Sequence, residues 1–455
     1  MGRTVFARCV AALVVLPSAV AAQDSHYWTD QFGTRANLLG GAVIGSKLDL
    51  SNTYYNPGAL ALVNDPSLLL GTGAYEYSRI GIKEAGAHGE DVSTSSARGV
   101  PSLFAVSFLS RWREGHSFAF SVLTRRDFHL ELDTGVIGTG DALAGSPGAE
   151  DIAGQALLQQ DVSDTWVGVT WSHAPSVHWG LGLTQYVAVR SQSTRAEAIL
   201  QAVGAPPGEG GATVSIRDLS YWNGRILWKG GLMLDLSPLT LGLTVTTPSV
   251  DLAGSGQITF NDAVLLSTGS TLAADYQEGV RAHERSPLSI GIGGSYPIGR
   301  GAIHASAEWF DQVPDFRVLD TAPWTDQTTG ATHEHQVRNR LQEVFNVGLG
   351  LEYSVRDDTK LYAGFITDKS GGEEKKRDDV TVSTWDLYHV SGGAEIALSF
   401  VNVTFGAAYA FGSSDVLVGD LDSSTVEGGA GPTRTYDATY SRLKALVGLT
   451  FPFGD

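Results

Sequence analysis

Few side chains in this sequence are spaced for bond-making chemistry. His333-Glu334-His335 sets two imidazoles around one carboxylate. A metalloprotease helix instead spaces its histidines four apart, so that both reach one metal from one helical face. The triplet also falls in a long polar connection, so it reads as a solvated loop. His173 and His178 flank a short turn together with Trp171 and Trp179, the pattern of an interfacial aromatic girdle. Gly180-Leu181-Gly182-Leu183 and Gly348-Leu349-Gly350-Leu351 are glycine-rich, but Gly alternates with Leu as in a strand. A phosphate-cradling turn is built differently. The chain has no Gly-x-Ser-x-Gly elbow, and no nucleophile and base can be paired on adjacent strands. No catalytic residue, metal ligand or cofactor is therefore nominated.

Composition points to a large β structure. Of 455 residues, 42% are hydrophobic and 18% charged, and Gly accounts for 55. The 10 Trp, 15 Tyr and 17 Phe can bury ample apolar surface, which excludes a disordered chain. A net charge of −18 excludes a general nucleic-acid binder, which needs a basic face to displace phosphate counterions.

Residues 1–22 read as a signal peptide. Arg3 and Arg8 form a basic start, Val10 to Leu16 an apolar core, and Val20-Ala21-Ala22 a small-residue cleavage site. The apolar run is too short for the ~20 residues of a spanning helix. Cys9, the one cysteine, lies inside the signal peptide, so the mature chain is expected to carry no disulfide.

Beyond residue 22 no stretch could cross a bilayer as a helix, yet several alternate with period two. Phe345, Val347, Leu349, Leu351 and Tyr353 are apolar, while Asn346, Gly348, Gly350 and Glu352 between them are small or polar. Val401 to Phe411 and Leu443 to Phe453 repeat the pattern. Such segments have one apolar face and one polar or small face. Strands are expected at about 67–82, 101–111, 116–130, 161–174, 178–190, 216–236, 239–253, 287–297, 301–312, 341–355, 359–367, 384–398, 401–411 and 437–453. Short turns around Arg113-Glu114-Gly115, Ala174-Pro175-Ser176, Ser237-Pro238, Ile298-Gly299-Arg300, Arg356-Asp357-Asp358 and Ser399-Phe400 alternate with seven long connections, each net acidic. A soluble sandwich has no reason to sort its loops by side. An outer-membrane barrel has, with tight periplasmic turns and long external loops. The predicted fold is therefore all-β, a transmembrane antiparallel β-barrel of about 14 strands spanning residues 67–455. Closure leaves no unpaired strand edge in lipid.

Residues 23–66 do not alternate. Asn56-Pro57-Gly58 marks a turn, because Pro fixes φ and removes a donor while Gly tolerates positive φ. A barrel this wide has lumen to spare. Tyr54, Tyr55, Leu60 and Leu62 make the segment too apolar for a free tail, so it is expected to be an N-terminal hatch, or plug.

Several of these stretches resemble the FadL-type outer-membrane transporters of long-chain fatty acids and aromatic hydrocarbons. The resemblance rests on Tyr55-Asn56-Pro57-Gly58-Ala59-Leu60-Ala61 after Leu38-Leu39-Gly40-Gly41-Ala42, on Leu241 to Gly256, on Val347 to Asp368, and on Trp385 to Gly393. It implies a monomeric 14-stranded barrel plugged by its N-terminal hatch. It further implies that apolar ligands enter from outside and leave sideways through a gap beside a kinked third strand. The chain departs from that family in three places. Gly58-Ala59 inverts the usual Ala-Gly order, the strand from His116 to Leu130 has no Gly or Pro to mark a kink, and the chain ends on Asp455 with Phe453 two places in.

The expected function is uptake of hydrophobic compounds, fatty acids or hydrocarbons, by passive diffusion. The alternative is a general or weakly selective porin, which should show a charged constriction and no plug. Few lumenal charges are expected, Lys444 and Glu352 among them. Candidate ligand-lining residues are bulky groups on the small or polar register: Phe118, Phe120, Tyr186, Phe310 and Tyr362. A one-residue register error moves any of them to lipid. Expected partners are the hydrophobic ligand, outer-membrane lipids and lipopolysaccharide, and the barrel assembly machinery, with no nucleic acid.

Overall fold

Alternating strands close into a ring. The computed structural model describes residues 25–63, 67–83, 91–108, 115–140, 143, 149–204, 210–372, 385–419 and 433–452. The signal peptide expected at 1–22 and the terminal Phe453 lie outside the described residues. Strands β1 (Ser67–Ile82), β2 (Val92–Phe108), β3 (His116–Gly140), β4 (Glu150–Ser176), β5 (Trp179–Val203), β6 (Gly210–Asp235) and β7 (Thr240–Thr246) run antiparallel in sequence order. After the β8 (Val250–Leu266) and β9 (Gly269–Val280) hairpin come β10 (Ser289–Ile298) and β11 (Gly301–Phe310). Four short pieces follow: β12 (Val313–Arg317), β13 (Trp324–Thr325), β14 (Thr332–His333) and β15 (Arg338–Leu341). The ring resumes with β16 (Val344–Arg356), β17 (Thr359–Asp368), β18 (Leu387–Ala397), β19 (Asn402–Gly419) and β20 (Thr433–Pro452). β20 pairs with β1 from Ser67↔Pro452 to Ile82↔Ala438, closing a barrel of 14 strands.

The strands outrun their apolar alternation. β3 continues to Gly140, β4 starts at Glu150, β5 reaches Val203 and β6 starts at Gly210, so much of the expected loops 131–160 and 191–215 is sheet. Past the apolar belt the outward face turns largely polar, with Arg195, Glu197 and Gln201, while small and apolar groups such as Ile152, Leu158, Ala196, Ala198 and Leu200 are buried on the inward face. The apolar side of the alternation thus changes from outside to inside as the backbone ladder continues. The strand expected at 239–253 is two: β7 ends at Thr246, Pro248 interrupts, and β8 leaves the ring. β6 exchanges neighbours there, pairing with β7 from Lys229 to Asp235 and with β8 from Gly211 to Ile226. The connection expected at 254–286 is thus largely a hairpin standing above the ring.

The outer face is an apolar belt. Phe345, Val347, Leu349, Leu351 and Tyr353 are all exposed, Phe345 by 59%, whereas Asn346 between them is 0% exposed. A continuous apolar band of this kind is stable only against hydrocarbon, so the barrel spans a membrane. No described helix is long and apolar enough to cross one.

The hydrophobic core lies inside the barrel, around residues 25–63. This segment holds two short helices, Thr34–Leu38 and Asn52–Tyr55, and a 3-10 turn, Pro57–Leu62. Phe32, Leu38, Leu39, Tyr54, Tyr55 and Leu60 pack with wall residues including Leu103, Leu123, Trp166, Tyr186, Leu227 and Leu446. Each fully buried leucine contributes about 1.5–3 kcal/mol. Its polar atoms bond to β4, β5, β6, β11, β17, β18 and β20, so the segment sits in the lumen.

Candidate functional site

Asn56-Pro57-Gly58 is the tightest joint between the segment and the wall. The Asn56 side-chain amide donates to the carbonyls of Ile44, 2.8 Å, and Leu232, 3.1 Å. Its side-chain oxygen accepts from the Gly58 N–H at 3.0 Å, capping the 3-10 turn. A Cβ on Gly58 would stand 2.6 Å from the Gly231 carbonyl and 2.8 Å from that of Gly180. The alternating glycines of β5 therefore serve close backbone approach. On the far side, Asp30 pairs with Arg442 and Lys444 of β20, and Arg35 lies 3.2 Å from Glu395 and 3.7 Å from Glu352.

Above this joint a small cavity opens between the segment and β3 to β6, with a volume of about 70 Å³. A β-bulge on β3 builds one wall. The β3–β4 register slips between Thr124 and Arg126, so the inward face shifts by one residue. Arg125 and Arg126 consequently both face the lumen. Arg125 donates to the Tyr27 carbonyl at 2.6 Å and lies over the Trp166 ring at 5.7 Å. Arg225 binds Asp164 at 2.5 Å, Arg190 lies 3.7 Å from Glu284, and Glu308 accepts from the Trp28 indole at 2.8 Å with Lys229 3.7 Å away. Tyr27, Trp166, Leu227 and Phe310 supply apolar surface. Five arginines and three carboxylates line this cavity. The expectation of few lumenal charges is therefore overturned, and the cationic excess can hold an anionic group.

The five candidate lining residues divide. Tyr186 is fully buried in the lumen, its hydroxyl donating to the Thr53 carbonyl at 2.8 Å. Tyr362 is buried beneath Arg35, whose Nε lies 3.2 Å from its hydroxyl. Both hold the N-terminal segment. Phe310 lines the cavity. Phe118 and Phe120 are on the outer face, because Ala119 and Ser121 are the fully buried, inward positions of β3. Phe118 packs against Phe108 with ring centroids 6.1 Å apart. The register error that the sequence left open occurs at this strand. Arg125, Arg126, Arg190 and Arg225 were not anticipated. A bulge leaves no mark in the hydrophobic period, and no Gly or Pro announces this one.

Beside the bulge the wall is incomplete. β2 and β3 pair through only six residues a side, from Phe108↔Phe118 to Leu103↔Leu123, and among the described residues the ladder goes no further. β1–β2 and β3–β4 continue well above that point. Pro101, two residues along β2, has no N–H to offer a ladder. The result is a slot in the hydrogen-bond ladder between β2 and β3, next to the arginine-lined cavity.

Outside the ring, β6, β8 and the stretch 324–337 enclose an open groove of about 400 Å³. Trp324 stacks on His335 at 5.8 Å and lies 5.1 Å from both Phe260 and His333. Leu219, Ile258 and Val337 form its floor. His333 and Glu334 are exposed, as expected of a solvated loop, while His335 is drawn into the groove as a flat wall, held by Asp275 at 2.8 Å.

Solved structures of FadL-type transporters share this chain's fold. A Pseudomonas aeruginosa FadL homologue is 15% identical over 96% of this chain and 100% of its own, with a TM-score of 0.54. The P. putida toluene transporter TodX is 14% identical over 94% and 99%, TM-score 0.58. The Ralstonia pickettii toluene transporter TbuX is 13% identical over 93% and 99%, TM-score 0.55. At this identity the likeness is one of fold: the chain has the FadL-type fold. No family model matches the sequence, and no curated protein does.

Proposed function

We propose that this chain is an outer-membrane channel for passive uptake of hydrophobic compounds, with residues 23–66 as its plug. The observation that carries the reading is the adjacency of an arginine-lined lumenal cavity to the β2–β3 slot. An aqueous pore needs neither. A compound partitioning from water gains little by reaching a periplasm that is also water, and a slot in the wall offers it hydrocarbon instead. The external groove, at about 400 Å³, is of ligand-pocket size, and the inner cavity, at about 70 Å³, is below it. On this reading the plug closes the route at rest, and the external groove is where ligand first collects. The structures this fold resembles include toluene transporters. Here, however, five arginines beside Trp166 and Phe310 favour an amphiphile with a carboxylate, such as a fatty acid, over a neutral hydrocarbon.

The test is to titrate the purified protein with palmitate, an alkane analogue and a sugar, following Trp fluorescence. Trp166 and Trp28 report on the cavity. Palmitate is expected to bind most tightly and the sugar not at all. Binding of the sugar alone would make the protein a hydrophilic pore.

A further inference from the structure

The side chain of Arg98 crosses the slot. Arg98 of β2 pairs directly with Glu76 of β1, and Glu76 points into the lumen, where it meets Arg442 and Lys444. Opposed residues of an antiparallel pair share a face, so Arg98 starts from the lumenal side. Its guanidinium ends on the other side. It binds Asp127 of β3 and lies 3.2 Å from Asp161 of β4. Both carboxylates are outward-facing: the neighbours of Asp161, Gln160 and Val162, are buried inward, as is Arg126 beside Asp127. The bulge after Thr124 is what turned Asp127 outward. His129 fixes Asp161 from above, its Nδ1 2.6 Å from the carboxylate.

From this geometry we infer that Arg98, with Asp127 and Asp161, is the latch of the β2–β3 slot: its side chain fills the opening where the backbone ladder has stopped, and the slot passes ligand when the ion pairs part. The inference rests on the lateral route proposed above. An ionic latch suits this position. Backbone pairing would seal the wall permanently, because several cooperative hydrogen bonds would have to break together. A half-exposed ion pair contributes only about 0.2–1 kcal/mol and parts readily. An amphiphilic carboxylate arriving from the cavity also competes for the same guanidinium, so the ligand itself can release the latch.

The test uses the full chain in cells that lack fatty-acid uptake, with variants first checked to run as folded barrels on unheated gels. Arg98→Ala, and Asp127→Asn with Asp161→Asn, are expected to raise uptake of labelled palmitate about threefold, the equivalent of a weak ion pair. Palmitate affinity by Trp fluorescence is expected to stay unchanged, because neither change touches the cavity. In Arg98→Cys/Asp127→Cys, bridging the two thiols with a short, reducible bifunctional reagent is expected to abolish uptake, and reduction to restore it. If the bridge blocks uptake but neither charge variant raises it, the slot is the route and Arg98 is not its latch. If the bridged protein transports normally, the lateral route fails and the latch with it.

Discussion

Tyr27 lies flat on Phe310, their ring centroids 4.3 Å apart and their planes 10° from parallel. One ring belongs to the lumenal segment and the other to the barrel wall, so the segment occupies the apolar face that a ligand would use. Removing Tyr27 should favour the ligand. Tyr27→Ala is expected to tighten palmitate binding several-fold in a fluorescence titration, whereas Phe310→Ala removes the shared surface and weakens it. An aromatic pair of this kind is worth about 0.5–1.5 kcal/mol beyond its buried area, which sets the size of the first effect.

The plug reading makes a separate demand on Asn56. Its side chain satisfies two backbone carbonyls and one N–H, those of Ile44 and Gly58 buried and that of Leu232 partly so. Asn56→Ala strands those groups at about 1–3 kcal/mol for each one left dry. Single-channel recording in planar bilayers is expected to show openings absent from the parent protein, and deletion of residues 23–60 to leave a permanently conducting barrel. Equal conductance of deletion and parent would mean that the segment plugs nothing.

Phe118 and Phe120 test the register. Both face lipid, so Phe118→Ala should leave ligand affinity unchanged while Phe310→Ala lowers it. Phe118→Lys should destabilise the barrel in bilayer by up to about 1 kcal/mol, the cost of a lysine near the interface, where Phe118 pairs with Trp171, read from denaturant unfolding in liposomes. A fall in affinity with unaltered stability would return these two residues to the lumen.

What could be read from sequence follows the physics of the belt. Where lipid lies outside and packed glycines inside, as from Phe345 to Tyr353, one alternation fixes strand, face and register together. Where β3 to β6 rise past the membrane, the outward face turns polar and the inward one carries small groups such as Ala196 and Ala198, a weaker pattern of opposite sense, so Gly140 and Glu150 looked like loop. The Asn56-Pro57-Gly58 turn was legible because its residues have local conformational reasons to be there. The arginine-lined cavity was not. It is assembled from β3, β4, β5, β6 and the stretch after β9, and a single bulge decides which way Arg125 and Arg126 point. The aromatic groove likewise unites Phe260 with Trp324 and His335, residues that no short-range pattern connects.

The stretches 281–283 and 318–320, before β10 and after β11, form a pH-sensitive clip. His283 stands between Asp251 of β8 and Asp320, each of its ring nitrogens 3.0 Å from a carboxylate oxygen. Only the imidazolium can donate from both nitrogens, so this geometry selects the protonated form. Burial alone would lower the pKa of His283, but its hydrogen bonds to Asp320 and Asp251 outweigh that and raise it above the usual 6.5. The sign follows from the raised value. The clip's contribution is complete below the unfolded pKa of 6.5, and is lost as pH climbs through the higher folded value. The backbone beside it also joins the two stretches, His283 N–H donating to the Val318 carbonyl at 2.8 Å and Asp320 N–H to that of Arg281 at 3.0 Å. Those two amides report the opening. After correction for the intrinsic pH dependence of exchange, their protection is expected to fall as pH is raised from about 6 to about 8.5, and to be pH-independent in His283→Asn. Equal protection across that range in the parent protein would mean that the imidazole holds nothing there.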